Sequence, residues 1–192
     1  MISENALQNE NNIGKWDSWY KELPSQPSAF RYSDTISYQL AAQFLEDCAC
    51  VEDWGCGAGG FMRYRPNAIG VDGSDTKFAK KKYIDLSKYT SVVDGINLRH
   101  VLEHNYKWEK ILKNALQSAI QKLVITLFVP LGSNTREISH NLPFGVDVPD
   151  LQLSITDFLK IVYASNPIEV FYRKFESETG YKSEEMFFIR FK

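Results

Sequence analysis

The chain has 192 residues, with 22 lysines and arginines against 24 aspartates and glutamates, and a formal net charge of −2. Hydrophobic residues make up 44% and charged residues 24%, which excludes wholesale disorder and suits about one domain. The balanced charge argues against a dedicated nucleic-acid binder, and no apolar run approaches the roughly 20 residues of a membrane span.

The cysteines and the N-terminus bear on the cellular compartment. Cys48, Cys50 and Cys56 lie close together, and an odd number does not form a disulfide framework. We therefore expect a reducing, cytoplasmic environment. The first residues show no basic stretch followed by an apolar core, so no signal peptide is expected.

The chain begins with a polar stretch and an aromatic segment. Trp16, Trp19 and Tyr20 are expected to pack on another part of the molecule. Residues 1–32 are therefore treated as an N-terminal segment, and residues 33–192 as the folded domain. Asp34 is a helix N-cap candidate, and the apolar spacing after it predicts a helix to about residue 47.

Strands then alternate with helical or loop segments. The predicted strands are 48–54, 68–71, 83–86, 92–98 and 122–129, and a hairpin pairs 168–175 with 185–191 around a turn at 178–180. The predicted helices are 108–120 and 155–163, and a loop covers 131–152. The second helix is opened by a capping pattern at 154–157, with Ser154 as the N-cap. This alternation predicts a mostly parallel α/β sheet with right-handed crossovers, and the terminal hairpin adds one antiparallel strand.

A glycine-rich turn follows the first predicted strand. Residues 51–60 read Val-Glu-Asp-Trp-Gly-Cys-Gly-Ala-Gly-Gly. Glycines at this spacing permit a tight turn and let a ligand approach the main chain, whose N–H groups suit an anionic group. The turn also satisfies the G-x-G-x-x-G dinucleotide pattern. It therefore does not decide by itself between a nicotinamide cofactor and another ligand.

Three strand-end carboxylates separate these possibilities. Asp53 precedes the glycines, where it would repel a pyrophosphate but attract an ammonium group. Asp72 ends the second predicted strand, where a carboxylate accepts ribose hydroxyls. Asp85 ends the third and is placed to accept from the exocyclic amine of adenine. The three together suit an adenosine with an amino-acid tail, which is S-adenosylmethionine (SAM).

With these motifs in place, the sequence resembles the class I SAM-dependent methyltransferases, in particular the small-molecule branch. The matching segments are 51–60, 68–74 (Ala-Ile-Gly-Val-Asp-Gly-Ser), 83–86 (Tyr-Ile-Asp-Leu) and 93–104, which ends in Val-Leu-Glu-His. The resemblance implies a Rossmann-like, seven-stranded, mostly parallel sheet with one antiparallel strand, in the order 3-2-1-4-5-7-6. It also implies that the N-terminal segment covers the cofactor as a lid.

The resemblance implies a cofactor site. The glycine-rich turn would line the methionine part of SAM, the carboxylate after the second strand would hold the ribose, and the one after the third would hold the adenine. The end of the fourth strand, 98–100, would pass under the sulfonium, and a basic residue of the N-terminal segment would pair with the methionine carboxylate. The implied cofactor-binding positions are Asp53, Gly55, Gly57, Gly59, Asp72, Gly73, Ser74, Asp85, Leu86, Arg99, His100 and Arg31.

Two links are shorter than the family pattern. Only a short stretch containing Pro66 joins Gly59 to the second strand, so the usual first helix is reduced to about a turn. The link from Asp72 to the third strand is also short, whereas a parallel crossover usually takes about ten residues or more. We expect a compact domain with shortened first helices.

Three histidines are the candidates for a general base, which a hydroxyl acceptor usually requires. His100 and His104 lie in the fourth-strand region, and His140 lies in the predicted loop after strand five. Each is also open to a purely structural or solvated role. A metal is not expected, because Glu103 reads as a cap and the carboxylates of the 131–152 loop form no cluster; zinc at the cysteines is a weaker reading than core packing.

The sequence thus predicts methyl transfer from SAM to a small polar acceptor, such as a sugar or another metabolite, at oxygen or nitrogen. One alternative is a non-catalytic SAM-binding or partner-binding module on the same fold. Another is a nucleic-acid or protein methyltransferase that uses the lysines of 77–82. A nicotinamide oxidoreductase is disfavoured by Asp53. No oligomeric state is predicted.

Overall fold

The computed structural model describes residues 12–22, 35–177 and 181–191, and of Thr35 and Phe144 it describes the backbone only. The expected roles of Arg31 and of the Asp34 cap lie outside these residues, as does the turn at 178–180. Within the described ranges, no helix is long and apolar enough to cross a membrane.

The strands and helices alternate along the chain. The strands are β1 (Val51–Trp54), β2 (Ile69–Val71), β3 (Ala79–Lys81), β4 (Val93–Arg99), β5 (Ala119–Leu127), β6 (Arg136–His140), β7 (Pro149–Gln152), β8 (Glu169–Glu176) and β9 (Ser183–Arg190). The helices are α1 (Asp17–Lys21), α2 (Thr35–Phe44), α3 (Trp108–Ser118) and α4 (Ile155–Ala164).

Seven strands form one sheet in the order β3-β2-β1-β4-β5-β9-β8. The pairs from β3 to β5 are parallel, and β9 runs antiparallel to both neighbours. Numbered within this sheet alone, β8 and β9 are its sixth and seventh strands, so the predicted order 3-2-1-4-5-7-6 is confirmed. β6 and β7 form a second, two-stranded sheet that the prediction did not contain. The 131–152 segment was wrongly predicted to be a loop, because β6 is largely exposed and shows no apolar alternation.

The third strand was also placed wrongly. It is formed by Ala79–Lys81, and not by 83–86. As an edge strand it carries lysines, so its sequence lacks the apolar run by which a buried strand is predicted. Lys81 is held in place by the buried carboxylate of Glu52 at 2.6 Å. Asp85 therefore lies in the loop that follows β3.

Apolar residues alternate along the central strands and bury both faces of the sheet. In β5, Leu123 and Ile125 face the core shared with α3 and α4, whereas Val124 faces the core shared with α2. The apolar face of α3 is entirely buried, and each fully buried large side chain stabilises the fold by about 1.5–3 kcal/mol. The link after β1 holds only a 3-10 turn, Phe61–Arg63, so the predicted shortening of the first helix is confirmed.

The start of α4 confirms a second local prediction. Ser154 has an extended backbone, and its hydroxyl accepts a hydrogen bond from the backbone N–H of Asp157 at 3.3 Å. This is an N-cap of the kind predicted from the sequence. It starts the helix that packs Phe158 and Val162 beneath the sheet.

Candidate active site

A cavity of about 590 Å³ opens at the carboxyl ends of the central parallel strands. Ligands of open parallel sheets bind at this edge, and the volume is ordinary for a small-molecule site. The lining comes from the N-terminal segment, the glycine-rich turn, the loops after β2 and β3, the end of β4 with the turn after it, and the two-stranded sheet with Tyr181.

Backbone geometry explains the glycines that follow β1. Gly55 and Gly57 have φ angles of +72° and +50°, which other residues rarely adopt. A Cβ on Gly55 would lie 2.3 Å from Cγ2 of Val101. Both residues line the cavity, but Gly59 does not: its Cβ position is filled by the ring of Phe78, so it serves packing.

Asp72 closes the glycine-rich turn from the side of β2. Its carboxylate accepts backbone hydrogen bonds from Gly57 and Ser74, both at 2.9 Å. Burial raises the pKa of Asp72 to about 6, although these hydrogen bonds work in the opposite direction. Two N–H donors leave further acceptor positions on the carboxylate, which lines the cavity together with Gly73 and Ser74.

Asp85 lines the cavity from the loop after β3, together with Leu86. Its Oδ1 accepts hydrogen bonds from the backbone and the hydroxyl of Ser87, at 3.0 and 2.6 Å. Its Oδ2 is buried and accepts no hydrogen bond from the described residues, although it forms an ion pair with Lys88 Nζ at 3.6 Å. A buried acceptor without a donor at a cavity wall fits a ligand that brings one.

Asp53 lies beneath the cavity and does not line it. Its carboxylate accepts a hydrogen bond from the Asn97 amide at 2.7 Å. Burial raises the pKa of Asp53 to about 7, against the effect of that hydrogen bond. Its side chain turns toward Asn97 of β4, and the expected contact with the amino group of a cofactor stays a prediction.

Arg99 and His100 meet the buried Glu184 of β9. Arg99 forms an ion pair with Glu184 and lies 4.5 Å from the ring centre of Tyr38. His100 Nε2 lies 2.6 Å from Glu184 Oε1. Burial and the neighbouring guanidinium lower the pKa of His100 to about 4, so the imidazole is neutral near pH 7. Both residues line the cavity, and the lowered pKa makes the His100 imidazole a weaker base than an ordinary histidine.

His104 is paired with the carboxylate of Asp150, a partner that was not predicted from the sequence. Its Nδ1 lies 3.2 Å from Asp150 Oδ1 and 3.0 Å from the Pro149 carbonyl. Both partners are acceptors, so Nδ1 carries the proton and Nε2 retains its lone pair. Burial alone would lower the pKa of His104, but the hydrogen bonds to Asp150 and Pro149 raise it above its ordinary value. This histidine lines the cavity, and in its neutral form it can accept a proton at Nε2.

The third histidine lies elsewhere. His140 contacts Glu137 at 2.8 Å and Asp147 at 3.0 Å, and it is not part of the cavity lining. The two-stranded sheet turns Asp150 of β7 to the cavity and leaves His140 of β6 outside it. Glu103, read as a cap, is buried and accepts a hydrogen bond from the backbone of Phe128 at 2.6 Å.

The N-terminal segment covers part of the cavity. Trp16, Trp19 and Tyr20 belong to the lining, and the Tyr20 hydroxyl lies 3.2 Å from the Cβ position of Gly57. The backbone N–H of Trp16 donates to the Ser74 hydroxyl at 3.1 Å. These contacts place residues 12–22 over the glycine-rich turn. Whether the segment opens and closes as a lid remains the prediction made from the sequence.

Several residues that line the cavity were not predicted from the sequence. The cavity also takes Tyr38 from α2, Phe128 after β5, and Tyr181 before β9, and only the tertiary fold brings them together. Asp150 was weighed only as a metal ligand in a predicted loop. Within residues 12–22, 35–177 and 181–191, no three His, Cys, Asp or Glu side chains are grouped to hold a metal ion.

Solved structures share this fold at low sequence identity. Magnesium protoporphyrin IX methyltransferase from Synechocystis PCC 6803 with bound S-adenosylhomocysteine (SAH) is 15% identical, with 82% of this chain and 83% of that chain covered and a TM-score of 0.58. The N-terminal domain of EvdMO1 with SAH bound is 10% identical, covering 88% and 83%, with a TM-score of 0.63. The cyclase SpnF is 14% identical, covering 88% and 84%, with a TM-score of 0.57.

No protein-family model matches the sequence, and no curated protein matches it. The structural likeness therefore establishes the architecture: the chain has the fold of the class I SAM-dependent methyltransferases. Because a cyclase shares this fold, function has to be argued from the site.

Proposed function

We propose that the protein is a SAM-dependent methyltransferase that acts on oxygen or nitrogen of a small polar acceptor. The observation that carries this proposal is one cavity that joins the glycine-rich turn and the carboxylates of Asp72 and Asp85 to a histidine whose Nδ1 is held by Asp150. The bound SAH in solved structures of the same fold supports SAM as the cofactor.

The residues at the sheet edge fit the cofactor. Gly55 and Gly57 would lie against its methionine part, and Asp72 would accept from the ribose hydroxyls. Oδ2 of Asp85, which accepts no hydrogen bond from the described residues, would accept from the adenine amine. When bound, SAM supplies an electrophilic methyl group on a sulfonium whose departure as a neutral thioether makes positioning the main task. Gly59 would act only indirectly, through the packing beneath the turn.

His104 is proposed as the general base. It would take the acceptor proton at Nε2, while Asp150 keeps the opposite nitrogen protonated and the ring oriented. Trp16 and Phe128 flank the imidazole at ring-centre distances of 5.6 and 5.2 Å and restrict its rotation. His100 is proposed as a wall of the cavity, and no catalytic role is proposed for His140.

The lysine-rich segment gives little support to a nucleic-acid acceptor. Lys81 is bonded to Glu52 and Tyr89 within the sheet, and Lys82 forms an ion pair with Asp75 at 2.6 Å. The sugar or other metabolite suggested by the sequence remains within the proposal.

The decisive experiment is calorimetric titration with SAH, followed by transfer of labelled methyl groups from SAM to a pool of metabolites. SAH binding without transfer to any pool would instead favour the non-catalytic module.

Asp72→Ala is expected to weaken SAH binding by about 1–3 kcal/mol, because ribose hydrogen bonds are lost and the N–H groups of Gly57 and Ser74 lose their acceptor. Calorimetry measures the change directly. Asp75→Ala removes a nearby carboxylate that is outside the cavity lining and serves as the control. Equal SAH affinity in Asp72→Ala and wild type would contradict the assignment of the ribose site.

The activity of the enzyme is expected to fall as the pH drops through the pKa of His104, because the base must be unprotonated. Since this pKa is raised above 6.5, the acid limb lies above that value. In Asp150→Asn the imidazolium loses its carboxylate partner, so the limb moves to lower pH and the maximal rate falls. A kcat/KM profile from about pH 5.5 to 8.5 measures both effects.

Asp147→Asn is the matched control for this profile, because Asp147 also contacts a histidine but lies outside the cavity. It is expected to leave the acid limb in place. An unchanged limb in Asp150→Asn would remove Asp150 as the partner that sets the protonation of His104.

A further inference from the structure

The part of the cavity around His104 is walled by flat rings. The ring of Phe128 lies 4.9 Å from His100, 5.2 Å from His104 and 5.5 Å from Tyr181, measured between ring centres. The ring centre of Trp16 lies 5.6 Å from that of His104. All five side chains line the cavity. A planar ring gains the most from such walls, since aromatic pairs contribute about 0.5–1.5 kcal/mol beyond the area they bury.

The polar side chains at this end are occupied with one another. Asp150 accepts hydrogen bonds from the Ser139 hydroxyl and the Asn141 amide, both at 2.6 Å, and lies 3.3 Å from the Tyr181 hydroxyl. The Asn12 amide donates to the His104 carbonyl at 2.6 Å and to the Asn105 side chain at 2.8 Å. A sugar would have to bury several hydroxyls here, at about 1–3 kcal/mol for each one left unpaired.

The charges of the lining disfavour an anion. At the His104 end of the cavity the lining carboxylate is that of Asp150, which is paired with His104 at 3.2 Å. Among the lining residues that the structure describes, Arg99 is the one arginine or lysine, and it is ion-paired with Glu184. Arg99 and protonated His104 are both already paired with a carboxylate, so an acceptor with its own carboxylate or phosphate would find no free cation among the described lining residues. Burying an unpaired anion in such a site costs affinity.

From these observations we infer that the methyl acceptor is an uncharged, planar aromatic compound whose hydroxyl reaches His104. The inference rests on the proposed function and narrows its acceptor. The acceptor oxygen gives its proton to Nε2 of His104 and forms the new bond to the methyl carbon, while the electron pair of the broken carbon–sulfur bond stays on sulfur. The proton then passes from the imidazolium to solvent.

The test compares three probes with the full chain in the presence of SAH: 2-naphthol, 6-hydroxy-2-naphthoate and methyl α-glucoside. Binding is followed by saturation-transfer NMR and titration, and methylation by mass spectrometry after SAM replaces SAH. We expect 2-naphthol to bind about tenfold or more tightly than the naphthoate, and the glucoside not to bind. Tighter binding or faster methylation of the naphthoate or the glucoside would overturn the inference.

Phe128→Leu removes the central ring and keeps an apolar side chain. We expect it to weaken 2-naphthol binding about 2- to 13-fold and to leave SAH affinity unchanged. Phe171→Leu, an exposed aromatic on the edge strand β8, is the control. Unchanged 2-naphthol binding in Phe128→Leu would overturn the inference.

The proposed function and the proposed class of acceptor would be contradicted by different results. If SAH binds but 2-naphthol neither binds nor is methylated, the acceptor class is wrong and the proposed function stands. If 2-naphthol binds in the Phe128-dependent way but SAH does not bind at all, the cofactor assignment fails, and the aromatic site stands as a ligand site.

Discussion

His104→Asn is expected to lower kcat/KM by on the order of 10²- to 10⁴-fold, the range that a positioned general base contributes. Asparagine carries an amide nitrogen near the position of Nδ1, so the hydrogen bond to Asp150 is retained while the proton acceptor Nε2 is lost. SAH affinity is expected to stay within about twofold, because the glycine-rich turn and Asp72 are untouched. Steady-state kinetics and calorimetry on the same preparation separate the two effects.

The matched control is His140→Asn. It makes the same change at a histidine that also contacts a carboxylate, but outside the cavity. Wild-type turnover is expected there. If His104→Asn turns over at the wild-type rate, or if His140→Asn shows the larger loss, the assignment of the base is wrong.

Gly57→Val is expected to weaken SAH binding on the order of 100-fold or more. The backbone of Gly57 has a φ of +50°, where a β-branched residue costs roughly 1–2 kcal/mol, and its Cβ would lie 3.2 Å from the Tyr20 hydroxyl. The added methyl groups would stand in the space where the proposed cofactor contacts bare main chain. Calorimetry measures the loss, and a thermal melt shows whether the domain remains folded.

Gly145→Val separates backbone strain from occlusion of the cavity. Gly145 has a φ of +79°, and nothing lies within 4 Å of its Cβ position. A comparable loss of thermal stability is expected, with SAH binding retained. If both variants bind SAH like the wild type, the glycine-rich turn does not hold the cofactor.

Local patterns were sufficient for most of the sheet. Short apolar runs predicted β1, β2, β4 and β5, and the Ser154 cap predicted α4. These elements are recognisable because their burial is recorded in consecutive residues. The prediction failed at β3, whose edge position tolerates lysines, and at β6 and β7, whose pairing depends on each other and not on the central core.

The part of the cavity around the glycine-rich turn was predictable for the same reason. Gly55, Gly57 and Asp72 take their geometry from strand ends and backbone angles, which leave a short sequence signature. The part around His104 was not predictable in this way. Phe128, Asp150 and Tyr181 come from three distant segments with no common motif.

The length and charge of this chain excluded disorder and disfavoured a nucleic-acid binder. Its glycines and strand-end acids carried the resemblance that implied the order of the sheet, and they pointed to the sheet edge where the cavity lies. Only the tertiary structure showed how the surroundings of the three histidines differ. His100 is directed to Glu184, His140 lies outside the cavity, and His104 is paired with Asp150 across the inserted sheet. The physical reason is that the protonation of a histidine depends on partners far away in sequence, whereas a turn depends on its own backbone.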